Sequence, residues 1–336
     1  HAAMQQPSTG HDPYAALRIP AFRRLLIGGQ ITSIGTAAQT VAIGWEMYIR
    51  TGQPMALGLV GLVQAIPMLV LTLPCGYLAD IADRRKILVT SMILTSITSL
   101  GLAVFSYLHG PIIVMYALLF LDSCALRLGW PAGSALLPLL MPRETFENAV
   151  KWRTSLGQIS QMVGPALGGV IITWSVPAAY VISAASTILM IFLLLSIHVP
   201  HYVRSAPGRM LRQVGEGLAF VWRKKVLLGA ISLDLFAVLL GGAVYLLPVF
   251  AKDIIDPGVT GLSAKSMLGL LRAAPAAGAL VVALILAHSP PLRKAGRTML
   301  VAVAAFGAAT IVFGLSRNLW LSLAMLTGLA ERQGIA

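Results

Sequence analysis

The sequence predicts an all-α protein built as a bundle of about ten membrane-crossing helices, and three observations carry that prediction. Of 336 residues, 57% are hydrophobic and 11% charged, whereas soluble domains carry about 25% charged residues. The apolar residues fall into separate stretches of roughly twenty, each long enough as a helix to cross a hydrocarbon core about 30 Å thick. Basic residues gather in alternate loops between those stretches, the asymmetry of helical membrane proteins. Only helices and closed barrels satisfy the backbone in lipid, and unbroken apolar runs select helices over the alternating pattern of a barrel. A net charge of +13 would draw a soluble chain to phosphates. Its placement beside the spans excludes nucleic acid and leaves the lipid bilayer as the partner.

Residues 1–24 read as a cytoplasmic N-terminal segment. His1 to Asp12 lacks the apolar run and cleavage site of a signal peptide, so the first span is expected to act as its own insertion signal. Pro13 to Arg24 looks amphipathic. Span one covers Leu25 to Ile49, and Thr51-Gly52-Gln53-Pro54 turns the chain back. Span two runs from Ala56 to Ala79, span three from Ile87 to Tyr107, and span four from Ile112 to Leu137, with Pro131 and Pro138 expected to kink or end it. Arg143 to Arg153 reads as a polar loop. Span five covers Leu156 to Trp174, Pro177 breaks the chain, and span six covers Ala178 to Ile197. Residues 25–197 thus form an N-terminal six-helix bundle. Residues 198–225 set Arg204, Arg209, Arg212, Arg223, Lys224 and Lys225 against the single acid Glu216, a basic cytoplasmic linker. Residues 226–336 read as a partial C-terminal bundle. Its spans are Val226 to Ala251, Ser266 to Ala287, Thr298 to Leu315 and a tenth from Leu319. Cys75 and Cys124 fall within apolar spans, where thiols act as small hydrophobes, and no disulfide is expected.

Orientation tests this map. With the N-terminus cytoplasmic, the inside holds Arg18, Arg23, Arg24, Arg84, Arg85, Lys86, Arg143, Lys151, Arg153, the six linker bases, Arg293, Lys294 and Arg297. The outside holds Arg50, Lys252, Lys265 and Arg317, so the bases divide eighteen to four. That excess decides the orientation.

The turn between spans two and three packs Asp80, Asp83, Arg84, Arg85 and Lys86 behind Gly76 and Leu78. Gly, Leu, an Ala-Asp pair and then basic residues, in that order, resemble the loop between helices two and three of the major facilitator superfamily. Ile81 stands where a basic residue is common there and Asp83 where a glycine is common. The general alternative is a set of positive-inside charges that stop a helix from slipping. The resemblance implies a conformational latch at Gly76, Asp80, Arg84, Arg85 and Lys86, where a carboxylate grips a helix end or a base until two bundles rock apart. A weak internal repeat agrees, since a shift of about two hundred residues sets Leu25-Leu26 on Leu227-Leu228, as transporter folds often show. The superfamily has twelve helices, so the resemblance implies a major-facilitator-like bundle truncated at its C-terminus.

Span five carries Gly157 and then Gly164, Pro165, Gly168 and Gly169. Small residues of this kind let membrane helices approach closely. The spacing also resembles the Gly-Pro signature of proton-coupled antiporters in the superfamily, which implies export. A phosphate cradle is excluded, because no Lys-Ser or Lys-Thr follows these glycines.

Ionisable groups inside spans cost about 2.5–3.5 kcal/mol each at the helix centre and face cavities or partners. Asp122, Arg127, Asp234 and Arg272 are such groups. Asp122 is a candidate proton carrier, because an apolar span disfavours the anion and lets the carboxyl load and release a proton. Asp234 competes for that role. The alternative pairs Asp122 with Arg127 or Arg272. Thr32, Gln39 and Glu46, spaced by seven, stack on one face of span one, with Thr36 beside them. That stripe reads as cavity lining or as interhelical hydrogen bonding. Glu46 is expected to be hydrated near the outer end. Gln64, Arg127, Arg272, Trp45 and Trp130 complete the candidate lining, with packing or interfacial anchoring as the other reading of the tryptophans. No histidine, cysteine or acid cluster has metal-ligand spacing and no nucleophilic triad assembles, so no enzyme is expected.

Together these readings predict a secondary active transporter resembling enterobactin exporters and multidrug antiporters. It would be a monomer in a bacterial inner membrane that exports a small amphiphile, drug or siderophore on a proton gradient, without a cofactor. The alternatives are a sensor or assembly partner on the same fold, or an importer.

Overall fold

The computed structural model describes residues 14–197, 222–225, 228–229, 232, 245–255, 261–287 and 295–328. A 3-10 turn at Ala16–Arg18 leads into α1, Pro20–Thr51. Pro20 sits in the first turn, where a missing N–H costs nothing. Gly52 ends the helix at φ 65°, and its N–H donates to the Tyr48 carbonyl at 2.9 Å, a left-handed stop that favours glycine. Helix α2 (Pro54–Ile81) contains Pro67 and Pro74. Helix α3 (Arg84–Tyr107) is capped by Asp83, whose carboxylate accepts from the N–H of Arg85 at 2.9 Å and of Lys86 at 3.3 Å. Asp83, which departs from the motif's usual glycine, is thus the N-cap that starts the helix.

Helix α4 (Ile112–Leu140) runs through both Pro131 and Pro138, which the sequence reading expected to kink or end it. Membrane helices tolerate proline where side chains or neighbours serve the freed backbone groups. Pro131 and Pro138 leave the carbonyls of Arg127 and Ser134 without an N–H donor, and beside the second of these Arg84 of α3 donates to the Ala135 carbonyl at 3.3 Å. Helix α5 (Arg143–Trp174) begins where a polar loop was expected. The segment Arg143 to Arg153 is an amphipathic extension of the span. Ala149, Trp152 and Leu156 pack with Phe22, Leu26 and Leu137, while Glu147 and Lys151 pair at 2.7 Å on the exposed side. Helix α6 is Val176–Leu195. Leu247–Val249 (α7) continues as a π-helical turn, Phe250–Ile254. Helices α8 (Ala264–Ala287), α9 (Ala295–Leu315) and α10 (Leu319–Gly328) follow.

Helix α1 packs on α5 and α6, α3 on α4 and α6, and α2 on α4, while α8 packs on α10 and α9 on α10. The main seam between the two groups runs along α5 and α8. Small residues set the spacing. Gly35 lies against Ser183 and Ser186 of α6, and Gly129 against Ser91 of α3. Among the described residues, α2, α3, α4 and α6 are long and apolar enough to cross a membrane by length and composition. Leu69 on α2 is 77% exposed, as a lipid-facing side chain should be. Helices α1 and α5 are more polar because protein covers them on several sides.

At the seam, a methyl on Gly269 would lie 2.7 Å from the Cα of Gly169 and 2.8 Å from the Pro165 carbonyl. Both neighbours are backbone and cannot yield as a flexible side chain would. Gly269→Ala should therefore destabilise the protein by about 1–3 kcal/mol. Gly157→Ala, whose methyl meets no atom within 4 Å, should hold or raise stability. Thermal melting of the detergent-purified variants checks the contrast.

Candidate functional site

Three helices of the first bundle converge on Asp122. The carboxylate is 5% exposed. Thr98 of α3 donates its hydroxyl to Oδ1 at 2.8 Å, and Gln39 of α1 donates Nε2 to Oδ2 at 3.3 Å. Ser99 in turn donates to Gln39 Oε1 at 2.7 Å, which fixes the amide's orientation. No cation lies within ion-pair distance of Asp122 among the described residues, so the alternative pairing with Arg127 or Arg272 is not seen and neutral donors take its place. This cage suits both protonation states. Thr98 also reaches the Thr95 carbonyl at 3.0 Å. A hydroxyl is donor and acceptor at once, so it can turn its proton to Thr95 and accept one from a protonated Asp122.

The polar stripe of α1 faces the interior of its own bundle, which supports hydrogen bonding over cavity lining. Thr32 donates to the Ser186 carbonyl of α6 at 3.2 Å, Thr36 to the carbonyl of Thr32 at 3.0 Å, and Gln39 to Asp122. Glu46, expected to be hydrated, is 5% exposed. Its carboxylate accepts from Tyr180 at 2.8 Å and from Arg50 at 3.2 Å. Arg50 also donates to the Gly110 carbonyl, which anchors the α3–α4 turn. Gln64 and Arg127 are half-buried on α2 and α4. Trp45 is buried beside Glu46, whereas Trp130 is exposed, a packing role and a surface anchor respectively. Asp234 lies outside the described residues.

In the charged turn, Arg84 donates to the carbonyls of Ala79 and Ala135, tying α2 to α4. Arg85 donates to the carbonyls of Leu194 at 3.3 Å and Leu195 at 2.7 Å, and Arg24 to that of Ser196 at 3.1 Å. Two cations thus hold the negative end of α6, a role the sequence reading did not see. Asp80 has a side chain 65% exposed, 4.0 Å from Arg84. Lys86 is exposed, and a methyl on Gly76 would meet no atom within 4 Å.

The glycines of α5 divide between two partners. A methyl on Gly164 would lie 2.6 Å from Ala37 Cβ and one on Gly168 2.8 Å from Ala38 Cα, both on α1. Pro165 and Gly169 meet α8 at Gly269. Gly157, grouped with them by sequence, contacts neither helix and borders an open cavity of about 450 Å³ with Pro138, Phe146, Arg153 and Gln158. At the opposite end, away from the basic turns, Tyr48 of α1 hydrogen-bonds Asp253, and the Lys252 ammonium lies 5.2 Å from the Tyr48 ring centre. Sequence reasoning missed this contact, because residues so far apart in the chain announce no pairing.

The transmembrane secretion effector family model matches residues 11–330. Macrolide efflux protein A of Streptococcus pyogenes is 26% identical over 241 residues, which is 70% of this chain and 58% of that protein. The chain therefore spans less than two thirds of that relative. Multidrug efflux pump Tap of Mycobacterium tuberculosis is 29% identical over 319 residues, 88% of this chain and 71% of the pump. Among solved structures, a mutant of nucleoside transporter NupG superposes with a TM-score of 0.72 at 14% identity, covering 94% of this chain and 80% of that one. A peptide transporter POT in complex with sulfate superposes at 0.68 and 10% identity, with the same coverage.

The two buried carboxylates should respond differently to loss of a partner. Arg50→Met leaves Glu46 buried with only Tyr180 and should cost about 3 kcal/mol. Asp122→Asn strands no cation and should cost about 1 kcal/mol or less. Melting of the two variants in one detergent checks the order.

Proposed function

The chain belongs to the transmembrane secretion effector family of the major facilitator superfamily, and on that premise we propose that it is a proton-coupled exporter of small amphiphilic molecules, drugs or siderophores. The family is one of transporters, not of enzymes. Export is supported by relatives named as macrolide and multidrug efflux proteins. The observation that carries proton coupling is the cage around Asp122, a buried carboxyl group with neutral partners and a hydroxyl able to reverse its hydrogen bond. Glu46 suits the task less, since Arg50 and Tyr180 already occupy its two carboxylate oxygens.

The proposed cycle is alternating access. The two groups of helices rock about the α5–α8 seam, and each opening exposes the Asp122 cage to a different side. Protonation switches Thr98 from donor to acceptor and loosens the Gln39 bridge between α1 and α4. Asp80 acts as the latch of the basic end, gripping its partner only when that end closes. The protein works as a monomer in a bacterial inner membrane with its N-terminus cytoplasmic, an orientation supported by the excess of bases on that side.

Reconstituted vesicles and a panel of amphiphilic dyes of either charge test this reading. Asp122→Asn should abolish gradient-driven export while dye exchange persists. Normal export with an unchanged pH dependence would remove Asp122 from the coupling. Asp80→Asn should insert normally and transport slowly, and wild-type flux in that variant would discard the latch.

A further inference from the structure

We propose that Arg272 forms an anion subsite on the translocation path, so that the cargo is an amphiphile bearing a carboxylate or an equivalent oxyanion. The proposal rests on the transport reading. Arg272 projects from α8 at the junction of α1, α7 and α8, where its Nη2 lies 2.8 Å from the position a methyl on Gly44 would take. Pro248 of α7 closes the same space at 3.5 Å. The Nε atom is enclosed and has no hydrogen-bond partner, while the residue keeps part of its surface accessible.

A guanidinium within a membrane span is costly and normally finds a carboxylate. Among the described residues no acid pairs with Arg272, and those of the neighbouring spans are bonded elsewhere. Asp122 is held by Gln39 and Thr98, Glu46 by Arg50 and Tyr180, and Asp253 by Tyr48. Tyr245 is its electrostatic neighbour and also packs against Gly61 of α2, but a phenol does not neutralise a guanidinium. A guanidinium with an enclosed, unpartnered Nε at this seam is suited to a planar oxyanion, the group that a guanidinium grips through two parallel hydrogen bonds. The same charge repels a cationic cargo. Gly44 belongs to the device, since any side chain there would displace the guanidinium.

Fluorescein and its methyl ester, which differ by one carboxylate, are titrated against the detergent-purified protein by fluorescence anisotropy. The wild type should bind fluorescein about tenfold more tightly than the ester. Arg272→Gln should erase that difference and leave the ester's affinity intact, with Arg272→Lys intermediate. Should Arg272→Gln not fold, Gly44→Ala reads the same loss through displacement of the guanidinium. Equal binding of both dyes by the wild type, or a preference that survives in Arg272→Gln, overturns the subsite. Vesicle flux separates the two proposals. Arg272-dependent binding without uphill movement of any dye would sink transport and keep the subsite, whereas export of dyes without the affinity difference would do the reverse.

Discussion

The backbone contact between Gly169 and Gly269 is the approach on which the rest of the molecule depends. In lipid, apolar side chains gain nothing by leaving their surroundings for one another, so helices associate through close van der Waals contact at small residues. Helix α5 offers two such faces. Gly164 and Gly168 receive Ala37 and Ala38 of α1, while Gly169 receives α8. The first contact sets the height of α1, and Gln39 is the next residue along. Its reach to Asp122 and Ser99 thus follows from how deeply α1 sinks into α5. The second contact sets the position of α8, and Arg272 lies one turn beyond Gly269. One glycine-bearing helix thereby positions both the buried acid and the buried base.

Three charged groups in the spans meet their burial in three ways. Glu46 has a cation and a phenol on its two oxygens, and losing Arg50 leaves it without a counter-charge. Asp122 has only neutral partners, so its neutral form leaves no cation unmatched. Arg272 has Tyr245 near it and an enclosed Nε without a partner. The first arrangement is an ion pair, and the other two are the ones on which the proposed coupling and the proposed anion subsite rest. Interior charges that cost folding energy without stabilising the bundle are those expected to serve function.

Much of the architecture was legible in the sequence, because the constraint that shapes it is one-dimensional. Apolar runs of bilayer length and bases in alternate loops place most helices within a few residues of their observed ends. The errors arose where a third dimension intervened. Pro138 is expected to kink or end α4, and the helix runs two residues past it to Leu140, with Arg84, more than fifty residues earlier, bonded to the Ala135 carbonyl. Arg143 to Arg153 was read as loop from its charge alone, although Ala149, Trp152 and Leu156 already show a helical apolar face. Glu46 was judged by its distance from a span end, and Tyr180, which covers it, belongs to another helix. Arg85 was grouped with a latch, yet it bonds the carbonyls that end α6. A motif names residues that occur together; it does not say which of them hold a helix in place and which act.

The two ends of the molecule are unlike, and that difference bears on the proposed cycle. Among the described residues, contacts between the first bundle and the later helices lie away from the basic turns, at Gly169 with Gly269, Gly44 with Arg272, Gly61 with Tyr245 and Tyr48 with Asp253. Toward the basic end, Gly76 and Gly157 border open space and Asp80 is largely exposed. Helix α1 links the two ends physically, since Arg24 holds α6 at the basic end while Tyr48 holds Asp253 at the far one. Between those anchors lies Gln39 on Asp122. A rocking motion that parts Tyr48 from Asp253 bears on α1, the helix that carries Gln39 to the Asp122 carboxylate.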